Sequence, residues 1–194
     1  MNKKIKVKIA IGLVSLLYFY LLIFLVMAEE NKTESGANLY ARAENIINEI
    51  SENYDINGEI SIKPSKIKVG SAETRRYPGD KYVVLLDVTK SENISDYELK
   101  GLLAHELSHL EEYSRMSFHR FLAFAIHYLF SDNFKREVER ATDVKTIEKG
   151  YGKELLAYHK YKLGKANTAD LKHLEYYYLG VEEIKMHLVN SKNL

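Results

Sequence analysis

The feature that most constrains this chain is a pentad, His105-Glu106-Leu107-Ser108-His109, set directly behind the apolar run Gly101-Leu102-Leu103-Ala104. Three ionisable side chains in such a setting cost free energy unless they are paired or bind a common group. In a helix, residues four apart project from adjacent turns of one face, so both imidazoles reach a single ion, with Glu106 on the same rim. The start of that helix is marked in the sequence. Ser95-Asp96-Tyr97-Glu98 has the form of a capping box, in which Ser95 accepts from first-turn amides while Glu98 reaches back. The pattern predicts helix over about 96–113.

The chain has no cysteine, so disulfides, thiolate metal sites and a cysteine nucleophile are excluded, and any metal must be held by His, Asp or Glu. Two neutral imidazoles and a carboxylate suit zinc and leave one position for a water, whose pKa the metal lowers towards ~7. Glu106 is then placed to take a proton from that water and pass it on. A third ligand is required, and the stretch Arg136-Glu137-Val138-Glu139-Arg140-Ala141-Thr142-Asp143 offers Glu139 with Asp143 one helical turn later. If Glu139 binds the ion, Asp143 projects from the same face and can accept a hydrogen bond from the outer nitrogen of a liganding histidine, fixing its tautomer. The competing reading is an exposed, charge-paired helix face made by Arg136, Glu139, Arg140 and Asp143. Glu111, Glu112, Glu137, His119 and His127 compete with Glu139 as ligands. A metzincin would need glycine at 112 and histidine at 115, where this chain has Glu112 and Arg115, so that class is out.

The remainder reads as one domain preceded by an apolar segment. Lys3, Lys4, Lys6 and Lys8 precede an uncharged stretch over 9–28, long enough at about 1.5 Å per residue to cross a hydrocarbon core of about 30 Å. The charge asymmetry puts residues 1–8 in the cytoplasm, 9–28 in the membrane, 29–36 as a linker and 37–194 as an extracytoplasmic domain, a single-pass arrangement at the cell membrane. A cleaved signal peptide ending at Val26-Met27-Ala28 is the rival reading.

An amphipathic helix is expected over 37–54 and strands over 59–63, 66–72 and 81–88, the last two separated by the turn Tyr77-Pro78-Gly79-Asp80. The apolar block 121–130 spans only about 15 Å as a helix, which suits a buried helix better than a membrane-surface element. A further helix runs from Asp132 to Lys149, stopped by Gly150 and Gly152, and tyrosine-rich helices follow. The expected class is α+β, with a short mixed sheet, an active-site helix and a helical C-terminal part.

The stretch 94–111 around the pentad resembles the active-site helix of the membrane gluzincins, the group of zinc metallopeptidases that includes the CAAX prenyl endopeptidases and the HtpX-like heat-shock peptidases. Glu139-Arg140-Ala141-Thr142-Asp143 resembles their second element. The resemblance implies His105, His109 and Glu139 as zinc ligands, Glu106 as catalytic base and Asp143 behind a ligand. It also implies that 82–88 is a sheet edge along which an extended peptide adds as a strand. The chain departs from the group in having one apolar span, a short separation between the pentad and Glu139, and no His-Pro element near the C-terminus.

Together these observations predict a membrane-anchored zinc endopeptidase acting on protein or peptide segments. The alternative is a noncatalytic membrane-anchored module in which a structural or vestigial zinc site braces two helices. Nucleic acid is not an expected partner, because 28 basic residues offset 27 acidic ones and no basic stripe is present. For a donor to the reacting carbonyl, His159, His173, His187 and Tyr158 are the candidates, and Tyr176, Tyr177 and Tyr178 fan around a helix so that at least one is exposed. Gly101, one turn before His105 on the same face, is placed to admit another backbone.

Overall fold

The computed structural model describes residues 34–91 and 93–190. Helix α1 (Glu34–Ile50) buries Leu39, Tyr40, Ala43, Ile46, Ile47 and Ile50 along one stripe, as its spacing requires, and a 3₁₀ turn (Ser51–Asn53) ends it. Three strands follow, β1 (Glu59–Pro64), β2 (Ala72–Tyr77) and β3 (Lys81–Leu86), in the spatial order β1-β3-β2. β1 runs parallel to β3 and β2 antiparallel to it, so the sheet is mixed.

Two sequence expectations about the sheet are corrected. The second strand is not 66–72 but β2, whose sequence AETRRY has little β-branched character. Its place is fixed from the turn outward: Gly79 (φ 79°) and Asp80 (φ 52°) reverse the chain, and Tyr77 then pairs with Lys81. The strand β3 is not an edge either. It lies between the other two, and Tyr82 to Leu86 are buried on both faces, as a central apolar strand must be. The edge beside the pentad is β2.

Helix α2 (Asp96–Ser114) carries the pentad and starts at the expected capping box, with the Ser95 side chain accepting from the Glu98 amide and Glu98 accepting from Ser95. It packs against α1 and the sheet through Leu99, Leu103, Leu107 and Leu110, all buried in the main core. Then come α3 (Phe118–Phe130), α4 (Asp132–Thr146), a π turn (Ile147–Tyr151) and α5 (Gly152–Lys165). Gly150, at φ 93°, breaks the axis between α4 and α5. Helices α6 (Thr168–Tyr177) and α7 (Val181–Asn190) close the domain. No residue of α3 is fully buried: Phe121 and Phe124 pack on the core, while Ile126, Leu129 and Phe130 stand in solvent. The buried-helix expectation for 121–130 is therefore wrong.

The α+β architecture stands, but the membrane part of the expected fold class is corrected. Among the described residues no helix is long and apolar enough to cross a membrane. Helix α3 is apolar but, at 13 residues, reaches only about 20 Å. The 19-residue α2 is interrupted by the charged groups of the site. The span expected over 9–28 lies outside the described residues, as do 1–8 and most of the linker, so the structure does not support a single-pass cell-membrane protein with an extracytoplasmic domain.

Candidate metal centre

Helix α2 presents His105 and His109 on one face, their rings edge to face with centroids 4.8 Å apart. Helix α4 crosses that face and brings Glu139 between them, with Oε2 3.3 Å from His105 Nε2 and 3.6 Å from His109 Nε2. All three side chains are buried, and their ligand atoms lie within 4.8 Å of one another, a group that can hold a metal ion. The exposed, charge-paired reading of α4 fails because Glu139 and Asp143 are inside.

The surrounding hydrogen bonds orient both rings. Asp143 Oδ1 lies 2.9 Å from His105 Nδ1, and Oδ2 accepts from the Leu179 amide at 2.9 Å. A carboxylate can only accept, so Nδ1 of His105 donates to Asp143 and the ring is held with Nε2 facing Glu139. Thr142 does the same for His109. Its hydroxyl donates to the Val138 carbonyl at 2.8 Å, which leaves Oγ1 to accept from His109 Nδ1 at 3.2 Å. Residues 139, 142 and 143 thus supply one candidate ligand and two orienting acceptors from a single turn of α4.

The electrostatics follow from this crowding. Burial opposes charge on His105, but hydrogen bonds to Asp143 and Glu139 outweigh it and carry the imidazolium up to about 10. Burial likewise opposes ionisation of Glu139, yet the two histidines facing it hold the carboxyl well below its usual range. Asp143 is depressed in the same way against its burial, by His105 and His159.

Glu106 projects from the next position of α2 and accepts a hydrogen bond from the Thr74 hydroxyl on β2, which ties the helix to the sheet edge. The Tyr128 hydroxyl of α3 donates to Glu139 Oε1, the oxygen turned away from the histidines. A cleft opens beside His105 and Glu106, walled by Gly70, Ser71 and Ala72 on one side and by Tyr158, His159, Lys162 and Tyr178 on the other.

The competing ligands are elsewhere. Glu111 is buried among Lys145 (2.8 Å) and Lys149 (2.7 Å), while Glu112, His119, His127 and Glu137 are exposed. Of the proposed donors, Tyr158 and His159 reach the cleft. His173 rests on Tyr177 instead, and His187 lies on α7 outside it. Tyr176 is the exposed member of its trio, while the ring of Tyr178 stands 5.9 Å from that of His105. Thr74, Tyr128, Thr142, Lys162 and the role of Tyr178 escaped the sequence. For Thr142 a signal existed, its position three residues after Glu139 on the same face. For the others the proximity is tertiary.

Comparison with family models, with curated proteins and with solved structures finds no match to this chain.

Proposed function

We propose that the domain is a zinc-dependent endopeptidase of the gluzincin type, in which His105, His109 and Glu139 hold the ion and Glu106 is the general base. The observation that carries the reading is the convergence of these three ligands with Glu106 beside them and an orienting acceptor on each histidine. Zinc suits the donor set. A tetrahedral ion with bonds of ~2.0–2.1 Å holds its ligands about 3.3–3.4 Å apart, against 3.3 and 3.6 Å from the Glu139 oxygen to the two imidazole nitrogens and a spread of up to 4.8 Å over the three ligand atoms, which an ion would draw in. When bound, such an ion polarises a carbonyl and acidifies a water at neutral pH.

The chain's own residues supply the proton handling. Glu106, held by Thr74, takes a proton from the attacking water and returns it to the amine nitrogen as the C–N bond breaks. A structural site needs no base at this position, and the resemblance of the pentad to gluzincins points the same way. The substrate is an extended protein or peptide segment, for which the outer edge of β2 offers main-chain pairing next to Glu106.

The test is hydrolysis of a disordered protein by the purified full chain, loaded with zinc, and by its Glu106→Gln variant. A loss of about 10²–10⁴-fold with zinc content retained is expected. Equal rates in the two proteins rule the mechanism out.

A further inference from the structure

We propose that Lys162 is the group that stabilises the scissile carbonyl oxygen as it becomes an oxyanion; this rests on the peptidase reading above. Four observations lead there. Tyr158 and Lys162 lie four residues apart on α5 and face the same cleft as His105 and Glu106. The ammonium rests on two aromatic faces, 3.9 Å from the Tyr178 ring centroid and 5.0 Å from that of Tyr158. Among the described residues it has no carboxylate within ion-pair distance, although Glu106, Glu139 and Asp143 all act on it. Of the other cleft donors, His159 is committed to the Leu179 carbonyl and Asp143 and the Tyr158 hydroxyl to Ser71, which leaves the Tyr178 hydroxyl as the rival to Lys162.

A cation held on π faces is fixed in place but gives up little to leave them, since such contacts contribute only about 0.5–2 kcal/mol. The four-carbon stem lets Nζ swing towards a carbonyl oxygen. Burial pushes the Lys162 ammonium down from its ordinary range, the direction expected of a partly desolvated donor in a closed cleft. In the reaction, the water oxygen adds to the carbonyl carbon, its proton passes to Glu106, and the C=O π pair moves onto the oxygen facing Lys162. Collapse re-forms C=O, the C–N pair leaves on nitrogen, and Glu106 protonates that nitrogen. Lys162 keeps its protons throughout and contributes charge where charge develops.

The experiment compares the zinc-loaded full chain with Lys162→Met, Lys162→Arg and Tyr178→Phe, using casein hydrolysis and binding of a phosphinic pseudopeptide. The phosphinate copies the tetrahedral oxyanion, and the matching amide peptide, bound by Glu106→Gln with and without Lys162→Met, is the control. Lys162→Met is expected to lower kcat about 10²–10³-fold with KM within about twofold. It should weaken phosphinate binding about 10²-fold, leave amide-peptide affinity unchanged and keep zinc at wild-type level. Lys162→Arg should recover part of the loss. The proposal is overturned if kcat is unchanged in Lys162→Met, if the loss falls on KM alone, or if Tyr178→Phe takes the whole effect. Failure of the peptidase reading looks different, with wild type and Glu106→Gln cleaving equally. Equal phosphinate affinity of wild type and Lys162→Met then also overturns the role of Lys162. If Lys162→Met does not reach the wild-type circular dichroism spectrum, Lys162→Gln carries the same comparison.

Discussion

Gly101→Ala tests how α5 is brought to the site. A β-carbon at 101 would stand 2.2 Å from the Glu154 carbonyl oxygen, 2.4 Å from its carbon and 2.7 Å from the Leu155 nitrogen. These are backbone atoms of α5, so no side-chain rotation relieves the overlap, and the helix must retreat by about 0.8 Å to restore even a 3.0 Å contact. Alanine in a helix interior gains about 1 kcal/mol over glycine. Overpacking against rigid backbone costs up to about 3 kcal/mol, so a net destabilisation of about 2 kcal/mol is expected. The retreat also carries Tyr158, His159 and Lys162 away from His105. A misplacement of about 1 Å costs as much as 10²-fold in rate. Urea unfolding should show a lower midpoint at unchanged slope, and kcat should fall ten- to a hundredfold. Zinc stoichiometry should hold, because all three ligands lie on α2 and α4. A Gly101→Ala protein that is about 1 kcal/mol more stable and fully active would refute the reasoning.

Three further outcomes are expected. Asp143→Asn should weaken zinc binding ten- to a hundredfold in competition with a chromogenic chelator, because the His105 tautomer loses its anchor, and an unchanged affinity counts against the assigned role. Chelation should lower the unfolding free energy by as much as ~4 kcal/mol relative to protein held at zinc a thousandfold above its Kd, and identical melting with and without metal speaks against a site at all. Acid should destabilise the domain through Glu111: burial pushes its carboxyl up, but Lys145, Lys149 and the Asp55 amide bring it down to about 2. A carboxyl depressed in the folded state stabilises above its unfolded pKa of ~4.3, and this is lost as pH falls through the folded value, about 3 kcal/mol in all. Glu111→Gln should therefore be less stable at pH 7 and converge on wild type towards pH 2, and a constant gap across that range would contradict the ion-pair account.

What was legible in the sequence was local. The α1 stripe, the Ser95–Glu98 cap, the pairing of His105 with His109 and the one-turn relation of Glu139 to Asp143 are all consequences of helical period, which a sequence displays directly. Strand placement depends on pairing instead. The sequence AETRRY is a strand because the turn at Pro78 sets it against β3, whereas the more β-like residues 66–71 run outside the sheet, where Ile67 and Ser71 are buried, Ile67 beside Val83 and Leu85. The parallel pairing of β1 with β3, which makes β3 central, is a crossover that no local pattern encodes. The same holds for the cleft, where Lys162 comes beside His105 because Gly101 admits α5 and Tyr178 is brought in at the end of α6.

The seam between α2 and α4 explains why these residues occur together. Helix pairs usually bury apolar ridges, but here His105, Ser108 and His109 face Glu139, Thr142, Asp143 and Thr146. Each polar group finds a partner along the seam: Asp143 on His105, Thr142 on His109, and the Thr146 hydroxyl 2.9 Å from that of Ser108. Such an interface holds only when every member is satisfied, since an unpaired buried polar group costs about 1–3 kcal/mol. The apolar stabilisation is supplied from the opposite face of α2, where Leu99, Leu103, Leu107 and Leu110 meet α1 and the sheet. Separating the two jobs lets one side of α2 stay rigid while the other carries charge. That division accounts for α2 being buried nearly all round yet keeping its ionisable pentad.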